Sequence, residues 1–248
     1  IRRPPRSTPS NSSAASDVYK RQVIETDLDG LSKMRFSPLN ILILLRAQRK
    51  TQDEFCHQLL GIPDEEFHQR RPKAGLITKL EVRAVSLAKM HLKEDSVVWD
   101  IGAGSGAVSI EASFLARNGR IFAIEKNAED VAIIRKNLRR FGVSNVEVIQ
   151  TLAPDRLAEL PNPNVVFIGG SGGKMEAILD IACHRLKSEG RIVINAVTLE
   201  NLNASVKGLK ARAFTAEVTL INIARSRDIA NLTRLEAINP VFVITGMR

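Results

Sequence analysis

A glycine-rich turn between a strand and a helix constrains the fold of this 248-residue chain more than any other feature. The turn reads Asp-Ile-Gly-Ala-Gly-Ser-Gly over residues 100–106, after the apolar run 97–99 and before a helical apolar pattern from Val108 to Leu115. Glycines permit a tight turn and let the backbone approach a ligand, and a helix N-terminus favours negative charge. This order of elements predicts a nucleotide-type binding site in an α/β fold.

The rest of this half of the chain alternates strands with helices. Strands are predicted at residues 121–124, 146–150, 165–168 and 191–196, and helices at 128–141, 174–186 and 199–209. Such alternation predicts a doubly wound parallel sheet with helices on both faces. The last two predicted strands, 217–224 and 241–245, have no clear helix between them. The predicted fold is therefore α/β and Rossmann-like, with a seven-stranded, mostly parallel sheet that ends in an antiparallel hairpin.

Acidic residues after the first two strands favour one class of cofactor. Asp100 ends the first strand, Glu125 ends the second, and the glycines follow the spacing D-x-G-x-G-x-G rather than G-x-G-x-x-G. Glu125 can accept hydrogen bonds from ribose hydroxyls, and Asp100 favours a cationic methionine group over a pyrophosphate. These features predict a class I methyltransferase that binds S-adenosylmethionine. The candidate cofactor-binding residues are Asp100, Gly102, Ala103, Gly104, Ser105, Gly106 and Glu125.

Ala153 follows the third predicted strand, where its backbone is placed to contact adenine. An alanine with no binding role fits this spacing equally well.

The loop after the fourth strand bears on the substrate. It reads Phe-Ile-Gly-Gly-Ser-Gly-Gly over residues 167–173 and lacks the Asn/Asp-Pro-Pro-aromatic motif with which many methyltransferases position amino groups of nucleic acids or glutamine. Glycines at a helix N-terminus expose backbone N–H groups that can bind an anion. The loop predicts a carboxylate-bearing substrate rather than a nucleic acid, with a merely flexible loop as the alternative. The candidate substrate-binding residues are Gly169, Gly170, Ser171, Gly172 and Gly173.

Composition limits the remaining function classes. Two cysteines, Cys56 and Cys183, have no metal-ligand spacing, so we expect no disulfide framework, no metal site and a cytoplasmic location. The longest apolar run, 41–45, is far shorter than the roughly 20 residues that span a bilayer, so we expect no membrane partner. The net charge is +9, but five basic residues and one acidic residue fall within residues 1–22. The remaining excess fits an anionic small molecule, a nucleic acid or a solvated surface.

Several stretches between residue 61 and the C-terminus follow the pattern of one family. They are residues 61–67, 78–83, 100–111, 123–127, 153–154, 167–173, 195–200 and 239–241. On these residues the chain resembles the decarboxylating precorrin methyltransferases of cobalamin biosynthesis, the CbiT family, which also forms the C-terminal half of CobL proteins (precorrin-6Y C(5,15)-methyltransferase, decarboxylating). The resemblance implies S-adenosylmethionine as cofactor, bound by Thr78, Gly102 to Gly106, Glu125 and Ala153.

The resemblance also implies the reaction and the substrate. Family members methylate carbon 15 of a precorrin-6B-type ring, remove carbon dioxide from the acetate on carbon 12, and form homotetramers. Such an anionic tetrapyrrole needs basic groups beyond the strand ends. The candidates are Arg83, Arg225 and Arg227, with Arg70, Arg71, Lys73 and Lys79 as further members of a basic rim. Glu111 and Glu200 are candidates for proton handling or for ordinary helix-surface roles.

One stretch departs from the family pattern. Relatives usually read Gly-Asp-Ala-Pro where this chain has Thr-Leu-Ala-Pro at residues 151–154. An acidic contact to adenine is therefore missing, and that contact must come from the backbone or be absent.

The sequence before residue 61 is predicted to form three segments. Residues 1–22 are rich in Pro, Ser and Arg without apolar periodicity, and we expect them to be disordered or non-native. Residues 23–47, with a predicted strand at 41–45, resemble the end of a tetrapyrrole methylase domain that precedes CbiT in fused proteins. Residues 48–60 are predicted to be a linker, and residues 61–248 the methyltransferase domain.

Two alternative functions stay open at this point. One is a class I RNA methyltransferase or another small-molecule methyltransferase, and RNA binding would then weaken with salt. The other is a non-catalytic remnant that binds S-adenosylmethionine without transferring its methyl group.

Overall fold

The computed structural model describes residues 26, 28–35, 59–70 and 77–248 of the chain. Contacts divide the chain into two units, residues 1–50 and 51–248. The first unit contains one described helix, α1 (Leu28–Ser32). The strand predicted at 41–45, the predicted segment 1–22 and residues 48–58 of the predicted linker 48–60 lie outside the described residues, so the proposed domain boundaries stay predictions.

A seven-stranded sheet forms the centre of the second unit. Its strands are β1 (Val97–Ile101), β2 (Arg120–Glu125), β3 (Val146–Gln150), β4 (Val165–Ile168), β5 (Arg191–Ala196), β6 (Thr215–Ile229) and β7 (Leu232–Met247). Their order in the sheet is β3-β2-β1-β4-β5-β7-β6. Strands β1 to β5 are parallel, and β7 is antiparallel to both β5 and β6. The predicted mostly parallel sheet with a C-terminal antiparallel hairpin is confirmed.

Five helices cover the two faces of this sheet. They are α2 (Leu80–Met90), α3 (Ala107–Leu115), α4 (Ala128–Arg140), α5 (Met175–Arg185) and α6 (Leu199–Ala211). Helix α4 begins where the side chain of Asn127 accepts a hydrogen bond from the backbone N–H of Glu129 at 2.8 Å, which satisfies an N–H that has no partner within the helix.

Alternate residues of each buried strand supply two separate cores. Trp99 and Ile101 of β1 pack with α5 on one face, whereas Val98 packs with α2 and α3 on the other. Successive side chains of a strand point to opposite faces, so a strand buried on both faces is apolar at every position. This explains why these strands read as short continuous apolar runs in the sequence.

The C-terminal hairpin is much longer than predicted. Strand β6 extends to Ile229 and β7 begins at Leu232, so Arg225 and Arg227 lie within β6 and not just after it. The outer part of the hairpin, residues 226–237, is exposed on both faces. Where it begins, Arg225 of β6 pairs with Glu236 of β7. Without a buried face it carries no periodic apolar signal, and for this reason the sequence pattern did not reveal it.

No helix in the described part of the chain is long and apolar enough to cross a membrane.

Candidate active site

A cleft of about 1210 Å³ lies at the carboxyl ends of the parallel strands. The N-terminus of α2 and the outer part of the β6–β7 hairpin also line it. Strand order reverses direction between β1 and β4, and ligands of open α/β sheets bind at such a switch point. The predicted site residues that line the cleft are Thr78, Asp100, Gly102, Ala103, Gly104, Glu125, Ala153, Gly169, Gly170, Ser171, Gly172, Arg225 and Arg227.

Three predicted glycine-turn or loop residues lie beside the cleft rather than in its wall. Ser105 is buried, Gly106 is the N-cap residue directly before α3, and Gly173 has a φ of 83°. They shape the two glycine-rich segments through backbone conformation.

The glycine turn is fixed by backbone hydrogen bonds to the end of β2. The N–H groups of Gly102 and Ala103 donate to the carbonyl of Ile124 at 2.9 and 3.1 Å. The N–H of Gly104 donates to the Glu125 carboxylate at 3.0 Å. The other carboxylate oxygen of Glu125 accepts from the N–H of Asn127 at 3.0 Å. The acidic group predicted to meet ribose is therefore held in one orientation at the cleft wall.

Asp100 presents an unsatisfied acceptor at the cleft. Its side chain is buried, one carboxylate oxygen accepts from the hydroxyl of Ser109, and the other has no partner among the described residues. Burial raises the pKa of Asp100 to about 7, and the nearby Glu125 charge acts in the same direction while the Ser109 hydrogen bond opposes it. A cationic ligand group would supply the missing partner and favour the ionised carboxylate.

The two glycine-rich segments touch each other. A Cβ at Gly102 would lie 2.6 Å from the carbonyl oxygen and 2.7 Å from the nitrogen of Gly170. The N–H groups of Gly169 and Gly170 donate to the carbonyl of Ile101 at 2.9 and 3.3 Å. Two N–H groups predicted to bind an anion are thus used within the fold, which leaves those of residues 171–173 without such bonds among the described residues.

Arg83 was predicted to belong to the basic rim of the cleft, and this prediction is wrong. Its side chain is 0% exposed, because it donates to Glu111 at 2.7 Å, to Asp64 at 3.2 Å and to the backbone carbonyl of Thr78 at 2.7 Å. It also donates to the carbonyl of Ile62. These four hydrogen bonds are all to the interior and Arg83 does not line the cleft, so Arg83 is not a substrate contact.

Glu111 and Glu200 are not placed for proton handling. Glu111 is fully buried and, besides the bond from Arg83, accepts from the N–H groups of Gly61 and Ile62 at 3.1 and 3.0 Å. Glu200 is exposed on α6 and does not line the cleft. The role of Glu111 is to hold residues 61–70, here called the strap, against α2 and α3.

The strap is also tied to the glycine turn through α4, a contact that the sequence did not reveal. The buried side chain of Asn137 donates to the carbonyls of Ser105 and His68 at 2.9 and 3.1 Å and accepts from the N–H of His68 at 2.9 Å. Farther along the strap, Arg70 pairs with the buried Asp130 at 3.5 Å. The strap thus completes the wall of the cleft beside the predicted cofactor residues.

The remaining predicted arginines reach the cleft but are paired. Arg225 contacts Glu81 at 2.6 Å and Asp64 at 3.2 Å, and these partners raise its pKa, with the Glu81 hydrogen bond as the largest cause. Arg227 contacts Glu236 at 2.9 Å. Their charges are largely balanced, so they serve to hold the hairpin as well as to face the cleft.

Among the described residues, two cationic side chains of the cleft have no ion pair. They are Lys79, at the start of α2, and Lys126, after β2. Lys79 was a member of the predicted rim, whereas Lys126 was not, although it directly follows Glu125. Its Nζ would lie 3.9 Å from a Cβ at Gly172. Lys126 is therefore next to the loop predicted to bind the substrate.

The described residues contain no group of three side chains that could hold a metal ion.

Comparison with known proteins matches residues 71–248 to the family model described as a precorrin methyltransferase domain. A relative from Pyrobaculum calidifontis, named probable cobalt-precorrin-6B C(15)-methyltransferase (decarboxylating), is 39% identical over 188 residues, 75% of this chain and 95% of the relative. Among solved structures, precorrin-6y C5,15-methyltransferase from Geobacter metallireducens GS-15 is 47% identical with a TM-score of 0.74, covering 78% of this chain and 100% of that one.

The C-terminal domain of precorrin-6Y C5,15-methyltransferase from Rhodobacter capsulatus is 35% identical with a TM-score of 0.68, covering 77% of this chain and 100% of that domain. A family model that matches most of the chain and relatives above 30% identity agree on one family. The chain belongs to the precorrin methyltransferase family.

Proposed function

We propose that this chain transfers a methyl group from S-adenosylmethionine to carbon 15 of a precorrin-6B-type tetrapyrrole and removes carbon dioxide from the acetate on carbon 12. The observation that carries the proposal is the contact between the two glycine-rich segments in one cleft. One segment has the acidic residues suited to the cofactor, and the other lies beside an unpaired lysine. A family in which solved members are precorrin methyltransferases supports the same assignment.

The cleft fits S-adenosylmethionine at the glycine turn. The buried Asp100 oxygen without a partner suits a cationic methionine group, and the backbone contact at Gly102 leaves no space for a side chain there. Glu125 is held at the end of β2, where ribose hydroxyls are bound in such folds. We assign the cofactor to these residues, with Thr78 and Ala153 as further contacts. When bound, S-adenosylmethionine supplies an electrophilic methyl group.

The chain's own contribution to the reaction is alignment and exclusion of water. Apolar side chains of the cleft wall that keep exposed surface, among them Val197, Ile238 and Val241, provide a surface for the ring of a tetrapyrrole. Lys79 and Lys126 supply positive charge for its carboxylates. Holding both reactants in one geometry lowers the barrier through orientation, since the reacting atoms no longer have to meet from solution.

The two steps of this reaction balance without a covalent intermediate on the chain. Methylation of a ring carbon releases one proton. In decarboxylation the bond between the acetate CH2 and its carboxylate breaks, its electron pair enters the conjugated ring system, and water supplies the proton that completes a methyl group. The ring itself accepts the electrons.

A single incubation tests the proposal. The full chain is mixed with methyl-labelled S-adenosylmethionine and a precorrin-6B-type tetrapyrrole, and the products are analysed by mass spectrometry. We expect a product that has gained one labelled methyl group and lost carbon dioxide. A labelled methyl group on RNA, or cofactor binding without transfer to the tetrapyrrole, would instead support one of the two alternatives.

Family resemblance also leads us to propose a homotetramer. Apolar side chains are exposed on the outer part of the hairpin, including Leu232 and Leu235, and subunit contacts would remove such surface from water. Sedimentation of the purified chain tests this, since a monomer at micromolar concentration would contradict it.

A further inference from the structure

We infer that Asn195 binds the carboxylate that leaves as carbon dioxide and holds it with a neutral hydrogen bond. This inference rests on the proposed function. Asn195 lines the cleft, and cofactor binding does not account for the contacts of its side chain.

Asn195 lies at the carboxyl end of β5, on the sheet face that is covered by α2. Val193 precedes it by two residues and therefore points to the same face, and Val243 pairs with Asn195 on β7. Both valines belong to the apolar cluster that includes Val82 of α2. The amide of Asn195 is thus a polar group at the upper edge of an apolar core, where that core opens into the cleft.

One end of this amide has a hydrogen-bond donor within reach and the other has no acceptor. The single hydroxyl proton of Ser86 can be donated either to the side-chain oxygen of Asn195, at 3.1 Å, or to the backbone carbonyl of Val82, at 2.8 Å. The Nδ2 of Asn195 is buried and has no hydrogen-bond partner among the described residues. A buried donor without a partner is unfavourable, so a ligand that offers an acceptor at this position gains from pairing with it.

The two lysines of the cleft that have no ion pair among the described residues lie away from the end of β5, where Asn195 lies. Lys79 is on the same face of α2 as Val82 and Ser86 but one to two turns earlier, at the start of the helix. Lys126 follows β2, beyond β1 and β4 from Asn195. Asn195 is therefore a neutral donor among apolar neighbours, whereas the lysines provide charge for carboxylates that the product keeps.

A neutral donor suits a carboxylate that must lose its charge. As the bond between CH2 and carboxylate breaks, the electron pair moves into the ring and neutral carbon dioxide forms, while water supplies a proton to the CH2 group. A lysine or arginine at the carboxylate would stabilise the starting state more than the transition state and would slow this step. A single N–H donor fixes the orientation of the group with a smaller penalty of this kind.

The test separates the two steps in one assay. The full chain and its N195A variant are incubated with methyl-labelled S-adenosylmethionine and a precorrin-6B-type tetrapyrrole, and methyl transfer and carbon dioxide release are measured together. We expect N195A to lower carbon dioxide release about tenfold relative to methyl transfer, the effect of one lost hydrogen bond. A methylated product that keeps its carboxylate should accumulate. The affinity for S-adenosylmethionine should change less than about twofold.

Three further variants complete the test. N195D places a like charge beside the carboxylate and should lower carbon dioxide release more than N195A does. The control N203D makes the same change on the exposed face of α6 and should leave the ratio of carbon dioxide release to methyl transfer unaltered. S86A removes the hydroxyl within reach of the amide oxygen and should lower the same ratio, so it tests the inference even if the Asn195 variants do not fold.

Results that contradict the role of Asn195 differ from results that contradict the proposed function. If the unaltered chain forms no methylated, decarboxylated tetrapyrrole, the proposed function is wrong. If it does, and N195A lowers both steps equally, weakens cofactor binding by the same factor or keeps the original ratio, Asn195 does not bind the leaving carboxylate.

Discussion

At the β2–β1 part of the sheet, nearly every strand residue is buried, whereas at the opposite edge β6 contains no buried residue at all. The proposed cofactor residues of the first region are fixed by hydrogen bonds from backbone N–H groups, such as those of Gly104 and Asn127 to Glu125. The cleft-facing Arg225 of the second region is fixed by ion pairs to α2 and to the strap. One side of the cleft is thus an extension of the core, and the other depends on surface contacts.

If the cofactor and the tetrapyrrole bind as proposed, they are recognised by walls of unequal rigidity. The cofactor wall contains buried polar groups whose loss affects folding as well as binding. The hairpin wall consists of a two-stranded ribbon, and such ribbons are marginally stable without further packing. Substitutions in the two regions should therefore differ strongly in their effects.

The largest expected effect comes from the buried ion pair beneath the strap. Arg83→Ala leaves Glu111 buried without its cation, and breaking a buried pair in this way costs about 3–5 kcal/mol. The matched control is Arg227→Ala, since Arg227 also pairs with a glutamate but is exposed. Urea denaturation followed by circular dichroism measures both variants. Equal losses would remove the distinction between a core-like and a surface-dependent wall.

The next effect is on cofactor affinity. Gly102→Ala forces a Cβ against the backbone of Gly170 at a residue with a φ of 75°, so we expect affinity for S-adenosylmethionine to fall by about 100-fold, roughly 2.7 kcal/mol. Gly170→Ala is the control, because its Cβ would meet nothing within 4 Å. Isothermal titration calorimetry compares the two. An unchanged affinity in Gly102→Ala would contradict the assignment of the turn to the cofactor.

A smaller effect should appear as a pH dependence of the same affinity. The raised pKa of Asp100, about 7, means that most of this carboxyl is ionised at pH 8 and most is protonated at pH 6. If the ionised form binds the cationic group, affinity should be about tenfold weaker at pH 6 than at pH 8, with uptake of the ligand releasing a proton at the lower pH. Calorimetry in two buffers of different ionisation enthalpy measures this release.

Asp100→Asn is the control for that titration, and it should remove the pH dependence. Without ligand the sign is reversed, because a raised folded pKa means that protonated Asp100 favours the folded state. Its contribution to stability is fully present below pH 4 and is lost as the pH rises through about 7. An affinity that is flat from pH 6 to pH 8 in the unaltered chain would show that Asp100 does not meet a cation.

The smallest effect is expected at the tip of the hairpin. Leu232 is 77% exposed, so Leu232→Asp should change the free energy of unfolding of the monomeric unit by less than about 0.5 kcal/mol and leave cofactor affinity unchanged. Ile244→Ala, at the buried end of the same strand, should cost about 2–5 kcal/mol. Denaturation and sedimentation are measured together, and a change of subunit number in Leu232→Asp would place the tip in a subunit contact.

The same contrast explains what could be predicted from the sequence. The glycine turn and strands β1 to β5 were predictable because their signals are local: apolar runs and glycines at fixed spacing. The buried role of Arg83 was not, since its partner Glu111 is 28 residues away and a charged residue in a helix reads as surface. The full length of β6 was hidden because its outer residues have no buried face. The sequence around Asn195 does not indicate that its side-chain Nδ2 would lack a hydrogen-bond partner among the described residues.

The contact between Gly102 and Gly170 has a consequence for how the two ligands influence each other. Since the backbone segments meet without any side chain between them, a displacement of one segment cannot be absorbed before it reaches the other. If the cofactor binds one segment and the tetrapyrrole the other, occupancy on one side would alter the affinity on the other, and thermodynamic reciprocity would make the factor equal in both directions. The joined glycine segments would thus make cofactor and tetrapyrrole binding cooperative, with a single coupling constant for either order of addition.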